Sequence, residues 1–159
     1  MARITTNTTG TQPVIVIGLS GANLSNTAAT ITIPFIQDLT ITNSTGVYAY
    51  TDFSDADQRK LSTPADNKLS TNVVVDNLAY FGNSAATANT APFYGIASLS
   101  TNKNNLDFNV YWNGTSANAY FYSGTGFLTN LAPKTSPTAP VWVTPLDIAV
   151  DGAFTVDQV

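Results

Sequence analysis

The residues of this chain that could do chemistry are mainly aspartates and serines. Asp52, Asp55 and Asp57 stand as close together as calcium ligands do, but the segment lacks the spacing, the glycine and the final glutamate of an EF-hand loop. Asp147 and Asp151 suggest the carboxylate pair of a glycosidase, but one strand carries both, which favours a solvated face. A serine nucleophile needs a neighbouring base, and the chain has no histidine. We therefore expect no enzyme, no metal site and no cofactor.

The composition indicates a structural material. The 159 residues contain no His, Cys or Glu, but 24 Thr and 16 Asn, and only 10% are charged, against about 25% in typical domains. A surface covered by Thr, Ser and Asn repels other copies weakly, so self-association is expected. The net charge of −4 and the absence of a basic patch argue against ordinary nucleic-acid binding.

The length suits one domain. We expect a flexible amino-terminal arm over residues 1–12 and a single β-domain over 13–159, with a long polar loop at 51–69. The longest apolar run, from Val14 to Leu19, is too short to span a bilayer, and the first residues lack the pattern of a signal peptide. We therefore expect a protein that is made in a cytoplasm and does not insert into membranes.

Alternating apolar and polar residues predict strands. Leu106–Asn113 places Leu, Phe, Val and Trp on one face, and Leu146–Asp151 alternates in the same way. Asn113-Gly114 fits a hairpin turn into a returning strand. Further predicted strands are Val14–Leu19, Thr30–Ile36, Leu39–Thr42, Val47–Thr51, Leu69–Asp76, Phe93–Leu99 and Thr125–Leu131. The predicted fold is mainly β, an antiparallel β-sandwich or barrel with one short helix.

The predicted helix follows Ser54, which could cap a turn or two over residues 55–61. Asp55 and Asp57 lie at its start and Arg59 and Lys60 near its end, as the helix dipole favours. Residues 84–91 are rich in alanine, and both a helical turn and a loop fit them.

Aromatic residues cluster across the predicted hairpin around Trp112. They could stack a sugar or a base, but cross-strand packing in a core is their commoner use. A carbohydrate-binding β-sandwich with Trp112 or Trp142 as its stacking platform is thus one alternative function.

Two stretches carry a resemblance to a known family. In the second half, Phe121-Tyr-Ser-Gly-Thr-Gly-Phe-Leu-Thr-Asn-Leu131 is followed by a proline-rich loop and then by Val141-Trp-Val-Thr-Pro-Leu-Asp-Ile-Ala-Val-Asp-Gly-Ala-Phe154. This order resembles the closing section of the tail tube proteins of tailed bacteriophages. The polar stretch from Tyr50 to Asp76 is similar to the long loop of that family, which runs into a sheet strand.

The resemblance implies a virion protein of the phage tail. Six copies would form a ring, and stacked rings would form the tube through which DNA passes without specific binding, with tape measure and tail terminator proteins as further partners. The loop at 51–69 would contact the neighbouring ring through Asp52, Asp55, Asp57, Arg59, Lys60 and Lys68. The face that could line the channel, or equally the outer surface, carries Asp107, Asn109, Asp147 and Asp151. A capsid decoration protein is the second structural alternative.

Overall fold

The computed structural model describes residues 12–33, 35–51, 57–115, 118–136 and 139–159. The predicted flexible arm, apart from Gln12, and the candidate residues Asp52 and Asp55 lie outside these ranges. The elements of the described residues, in chain order, are β1 Val14–Leu19, β2 Thr30–Ile33, β3 Ile36–Thr42, β4 Gly46–Thr51, β5 Gln58–Thr63, β6 Lys68–Val74, α1 Asn77–Phe81, α2 Ala91–Thr101, β7 Leu106–Tyr111, β8 Tyr120–Leu131, β9 Lys134–Ser136 and β10 Ala139–Gln158. The prediction of a mainly β, antiparallel fold is confirmed.

One long antiparallel sheet organises the molecule. Its strand order is β2-β1-β7-β8-β10-β6-β3, and β9 pairs with β10 beside this path. Strands β2 and β3 form its two edges, so the sheet stays open and does not close into a barrel within the described residues. Strands β4 and β5 pair with each other as a separate two-stranded hairpin.

The core lies against one face of the long sheet. Phe108 and Val110 of β7 and Ile148 of β10 are fully buried, because alternate residues of a strand point to the same side. Ile96 and Leu99 of α2 belong to the same buried cluster, so α2 covers this face. The predicted alternation of Leu106–Asn113 and Leu146–Asp151 therefore identifies the core face correctly.

A bulge of three residues against one interrupts the pairing of the two longest strands. Asp151 pairs with Thr125 and Thr155 pairs with Ser123, so residues 152–154 of β10 lie opposite a single residue of β8. The extra residues bend the strand. Phe154 consequently packs edge-on against Phe108, with 6.2 Å between ring centroids.

Three sequence predictions of secondary structure are wrong. Thr30–Ile36 was expected as one strand, but Thr30–Ile33 and the strand that begins at Ile36 lie at opposite edges of the long sheet. Residues 58–61 were expected in the one short helix, but Gln58–Thr63 is strand β5, because β4 supplies hydrogen-bond partners that a local reading does not include. Phe93–Leu99 was expected as a strand, but it lies in α2. There Ile96 and Leu99 are spaced so that a helix brings both to the sheet. The described residues thus hold two helices.

A close glycine contact fixes α1 against α2. Gly95 has φ 72° and ψ 161° inside α2 and breaks the helix there. A Cβ on Gly95 would lie 2.6 Å from the carbonyl carbon of Phe81, at the end of α1. Asp76 caps the start of α1 by accepting a hydrogen bond of 3.0 Å from the Ala79 amide. The short helix α1 is therefore held at both ends.

Candidate functional site

All four residues predicted to line a channel lie on one face of the long sheet, opposite the core, which we call the polar face. Register places Asp151 of β10 beside Thr125 of β8, and Thr125 beside Asp107 of β7. Residues two or four positions apart on a regular strand share a face, which brings Asn109 and Asp147 to the same side. The sequence prediction that these residues group together therefore agrees with the register.

Asp147 is the most strongly held acid of the polar face. Its Oδ2 atom lies 3.3 Å from the Lys68 Nζ atom and accepts a 3.2 Å hydrogen bond from the Asn130 amide. Burial by itself raises the pKa of this carboxyl, but the hydrogen bonds from Ser70, Asn130 and Lys68 and the charge of Lys68 outweigh it and lower the pKa. Lys68 lies on β6 and thus has an ionic partner within its own chain.

Asp107 and Asn109 lie under the loop that joins β1 to β2. The Asp107 Oδ2 atom accepts a 2.7 Å hydrogen bond from the Gly21 amide, and Asn109 donates a 3.1 Å hydrogen bond to the Tyr111 hydroxyl and is buried. Ala22 of the loop lines a cleft together with both residues. The loop therefore covers this part of the polar face, whereas Asp151 is exposed.

The remaining described residues of the predicted contact loop lie on the β4–β5 hairpin. Asp57 immediately precedes β5, and Arg59 and Lys60 lie on it opposite Tyr50 and Ala49 of β4. Neighbouring residues of a strand point to opposite sides, so Arg59 and Lys60 are on different faces of the hairpin. Every residue of β5 is exposed, as expected for a projecting arm. That this arm contacts a neighbouring ring remains a prediction.

An apolar surface that no local sequence pattern indicates lies beside α1. A cleft of about 350 Å³ is lined by Val75, Asn77, Tyr80, Phe81, Pro133 and Trp142, and we call it the α1 cleft. Phe81 is 68% exposed and Trp142 is 54% exposed. The cleft joins segments far apart in the chain, so no local pattern could reveal it. Trp142 was the one member that the sequence analysis singled out, as a sugar platform.

The aromatic cluster around Trp112 is a packing feature. Trp112 meets Tyr122 edge-on, with 5.7 Å between centroids, and Tyr111 meets Phe121 at 5.0 Å, in each case from facing segments of the hairpin. This is the cross-strand pairing that the sequence analysis favoured. Among the described residues, no three metal-ligating side chains come together. Neither of the described helices has the length and apolar character needed to cross a membrane.

Comparison with known proteins relates the chain by fold and not by sequence. No protein-family model matches it, and no curated protein is significantly similar. The chain is similar to a component of the tail of an empty gene transfer agent particle computed with helical refinement and C6 symmetry, with a TM-score of 0.60, 13% identity, and 90% of this chain and 95% of that chain covered.

Two further structures share the fold. A chain of the virion of a native gene transfer agent particle gives a TM-score of 0.58 at 14% identity, covering 90% of this chain and 95% of that one. A chain of the six-fold symmetrised baseplate of the anti-feeding prophage gives 0.54 at 9% identity, covering 96% and 97%. The fold of this chain is therefore one that occurs in components of phage-like tail and baseplate assemblies.

Proposed function

We propose that this chain is the major tail tube subunit of a tailed phage or a phage-like particle. Six copies form a ring, and stacked rings form a tube that conducts DNA. The observation that supports the proposal is an open antiparallel sheet with one polar face, on a fold shared with a tail component and a baseplate component that were both solved with six-fold symmetry. The protein then resides in the virion, next to tape measure and tail terminator proteins.

The sheet edges support association into rings. Among the residues that the structure describes, β2 and β3 each have one side without a strand partner, and backbone groups on such a side favour pairing with another chain. Because the two edges differ, pairing one with the other is a head-to-tail contact, which yields a closed ring when the rotation per subunit fits. Ring closure removes both edges at once.

The polar face is the one suited to the bore. Helix α2 packs on the opposite face. The loop between β1 and β2 covers the polar face around Asp107 and Asn109, and the part around Asp151 is open to a passing polymer. Asp151 and Thr125 are exposed on it, and the positive charge of Lys68 is paired with Asp147. Because the Lys68 charge is neutralised, the charges left unpaired on this surface are acidic and repel the phosphates of DNA. DNA can therefore slide along the surface without binding.

Sedimentation and negative-stain microscopy of the purified protein at increasing concentration test the assembly. We expect rings and hollow tubes, whereas a single monomeric species at every concentration would refute the proposal. The bore assignment is tested separately in assembled particles by Asp147→Lys and Asp151→Lys, with Asn105→Lys, in the exposed connection between α2 and β7, as the control for an added positive charge. Slower DNA release in the first two variants alone is expected, and unchanged release in them contradicts the assignment.

A further inference from the structure

The β4–β5 hairpin has one apolar face, which we call the hairpin face. Register pairs Tyr48 with Leu61 and Tyr50 with Arg59, so these four side chains point to the same side. Tyr48 is 60% exposed and Leu61 is 55% exposed, and the two tyrosine rings stack with centroids 6.3 Å apart. The hairpin therefore carries an aromatic surface out into solvent.

Within the described part of the chain, no other helix or strand makes extensive contacts with this hairpin. The extensive contacts of β4 and β5 are with each other, and an isolated two-stranded hairpin is only marginally stable in water. The α1 cleft is the complementary case, since Phe81 is exposed at the end of α1, which the glycine contact fixes against α2, and Trp142 is exposed on β10. The same molecule thus holds a projecting apolar face and an apolar cleft.

We infer that the hairpin face of one copy docks into the α1 cleft of a second copy. This inference rests on the proposed function and names the surface that receives the arm. Leu61 and Tyr48 of one copy pack against Phe81 and Trp142 of the other, so that each exposed apolar surface covers the other.

The area that one docking event would bury is small, which is consistent with a contact that is stable only within a larger assembly. With about 150–250 Å² for a fully exposed aromatic side chain, the hairpin face and the cleft together bury on the order of 600 Å². A stable pairwise complex usually needs about 1,200–2,000 Å². One docking event is therefore too small to hold a dimer. Each copy both gives a hairpin and receives one, which doubles the area per subunit and favours cooperative assembly.

Matched variants test the contact through the concentration at which the protein assembles. We expect Tyr48→Ser with Leu61→Ser, and separately Phe81→Ser, to raise that concentration at least about tenfold, because each empties one half of the contact. The control is Val47→Ser, since Val47 is 61% exposed on the opposite face of the same strand. Circular dichroism checks that each variant is folded.

Disulfide cross-linking tests the same contact without relying on variants that assemble more weakly. The chain has no cysteine, so Leu61→Cys combined with Phe81→Cys should produce a ladder of covalent multimers on oxidation, whereas Val47→Cys combined with Phe81→Cys should not. Assembly of the serine variants at the wild-type concentration, or a missing ladder, overturns the inference while leaving the tube proposal intact. A wild-type protein that never assembles overturns both.

Discussion

Replacing Gly95 by alanine tests whether the contact between the two helices holds α1 in place. The backbone of Gly95, at φ 72° and ψ 161°, lies in a region almost restricted to glycine, where another residue costs about 1–3 kcal/mol. The added Cβ would also press on the backbone of Phe81 at 2.6 Å, and such overpacking costs about 1–3 kcal/mol. The free energy of unfolding should therefore fall by about 2–6 kcal/mol.

Gly21→Ala separates the two costs. Gly21 also has a positive φ, 85°, but a Cβ there meets open space, so only the conformational cost of about 1–2 kcal/mol applies. A domain of this size loses about 2–4 °C in Tm per kcal/mol. We expect Gly95→Ala to lower Tm by about 10 °C and Gly21→Ala by about 4 °C, measured by circular dichroism on unassembled protein. Equal shifts in the two variants would refute the close-contact reasoning.

Two further predictions concern β10. Because the pKa of Asp147 is lowered in the folded protein, its stabilising contribution is complete above its unfolded pKa of about 3.9 and is lost as the pH falls through the lower folded value. The acid-induced loss of stability should be shallower in Asp147→Asn, and high salt should reduce the difference between the two proteins; identical acid titrations would contradict this. Ile148→Ala should lower the free energy of unfolding by about 2–5 kcal/mol because Ile148 is fully buried, whereas Val156→Ala at an exposed site should change it by less than about 0.5 kcal/mol. Urea unfolding measures the free energy of unfolding of the two variants, and a similar decrease in both would contradict the argument from burial.

The half-buried strands are predictable because burial of one face leaves a period of two in the sequence. Val14–Leu19 was predicted with the bounds that the structure gives, and the alternation in Leu106–Asn113 identified the side of β7 that faces the core. The same period placed Asp147 and Asp151 on one face. The local pattern is enough to predict these strands because each has one buried face and one solvent-exposed face.

Contacts between distant segments explain the wrong secondary-structure predictions and the surfaces that the sequence does not reveal. The charge order in residues 55–61 favours a helix, but pairing with Gly46–Thr51 makes Gln58–Thr63 a strand. The aromatic content of Phe93–Leu99 favours a strand, but the need to cover the sheet with Ile96 and Leu99 selects a helix. Likewise, the loop over Asp107 and the α1 cleft arise from packing between distant segments, which no local period records.

Strand β10 takes part in three environments at once. Trp142 belongs to the α1 cleft, Asp147 to the polar face and Ile148 to the core. Inserting or deleting a single residue between Trp142 and Asp151 would turn the inward side chains outward and the outward ones inward. Homologous chains should therefore conserve the length of this strand strictly.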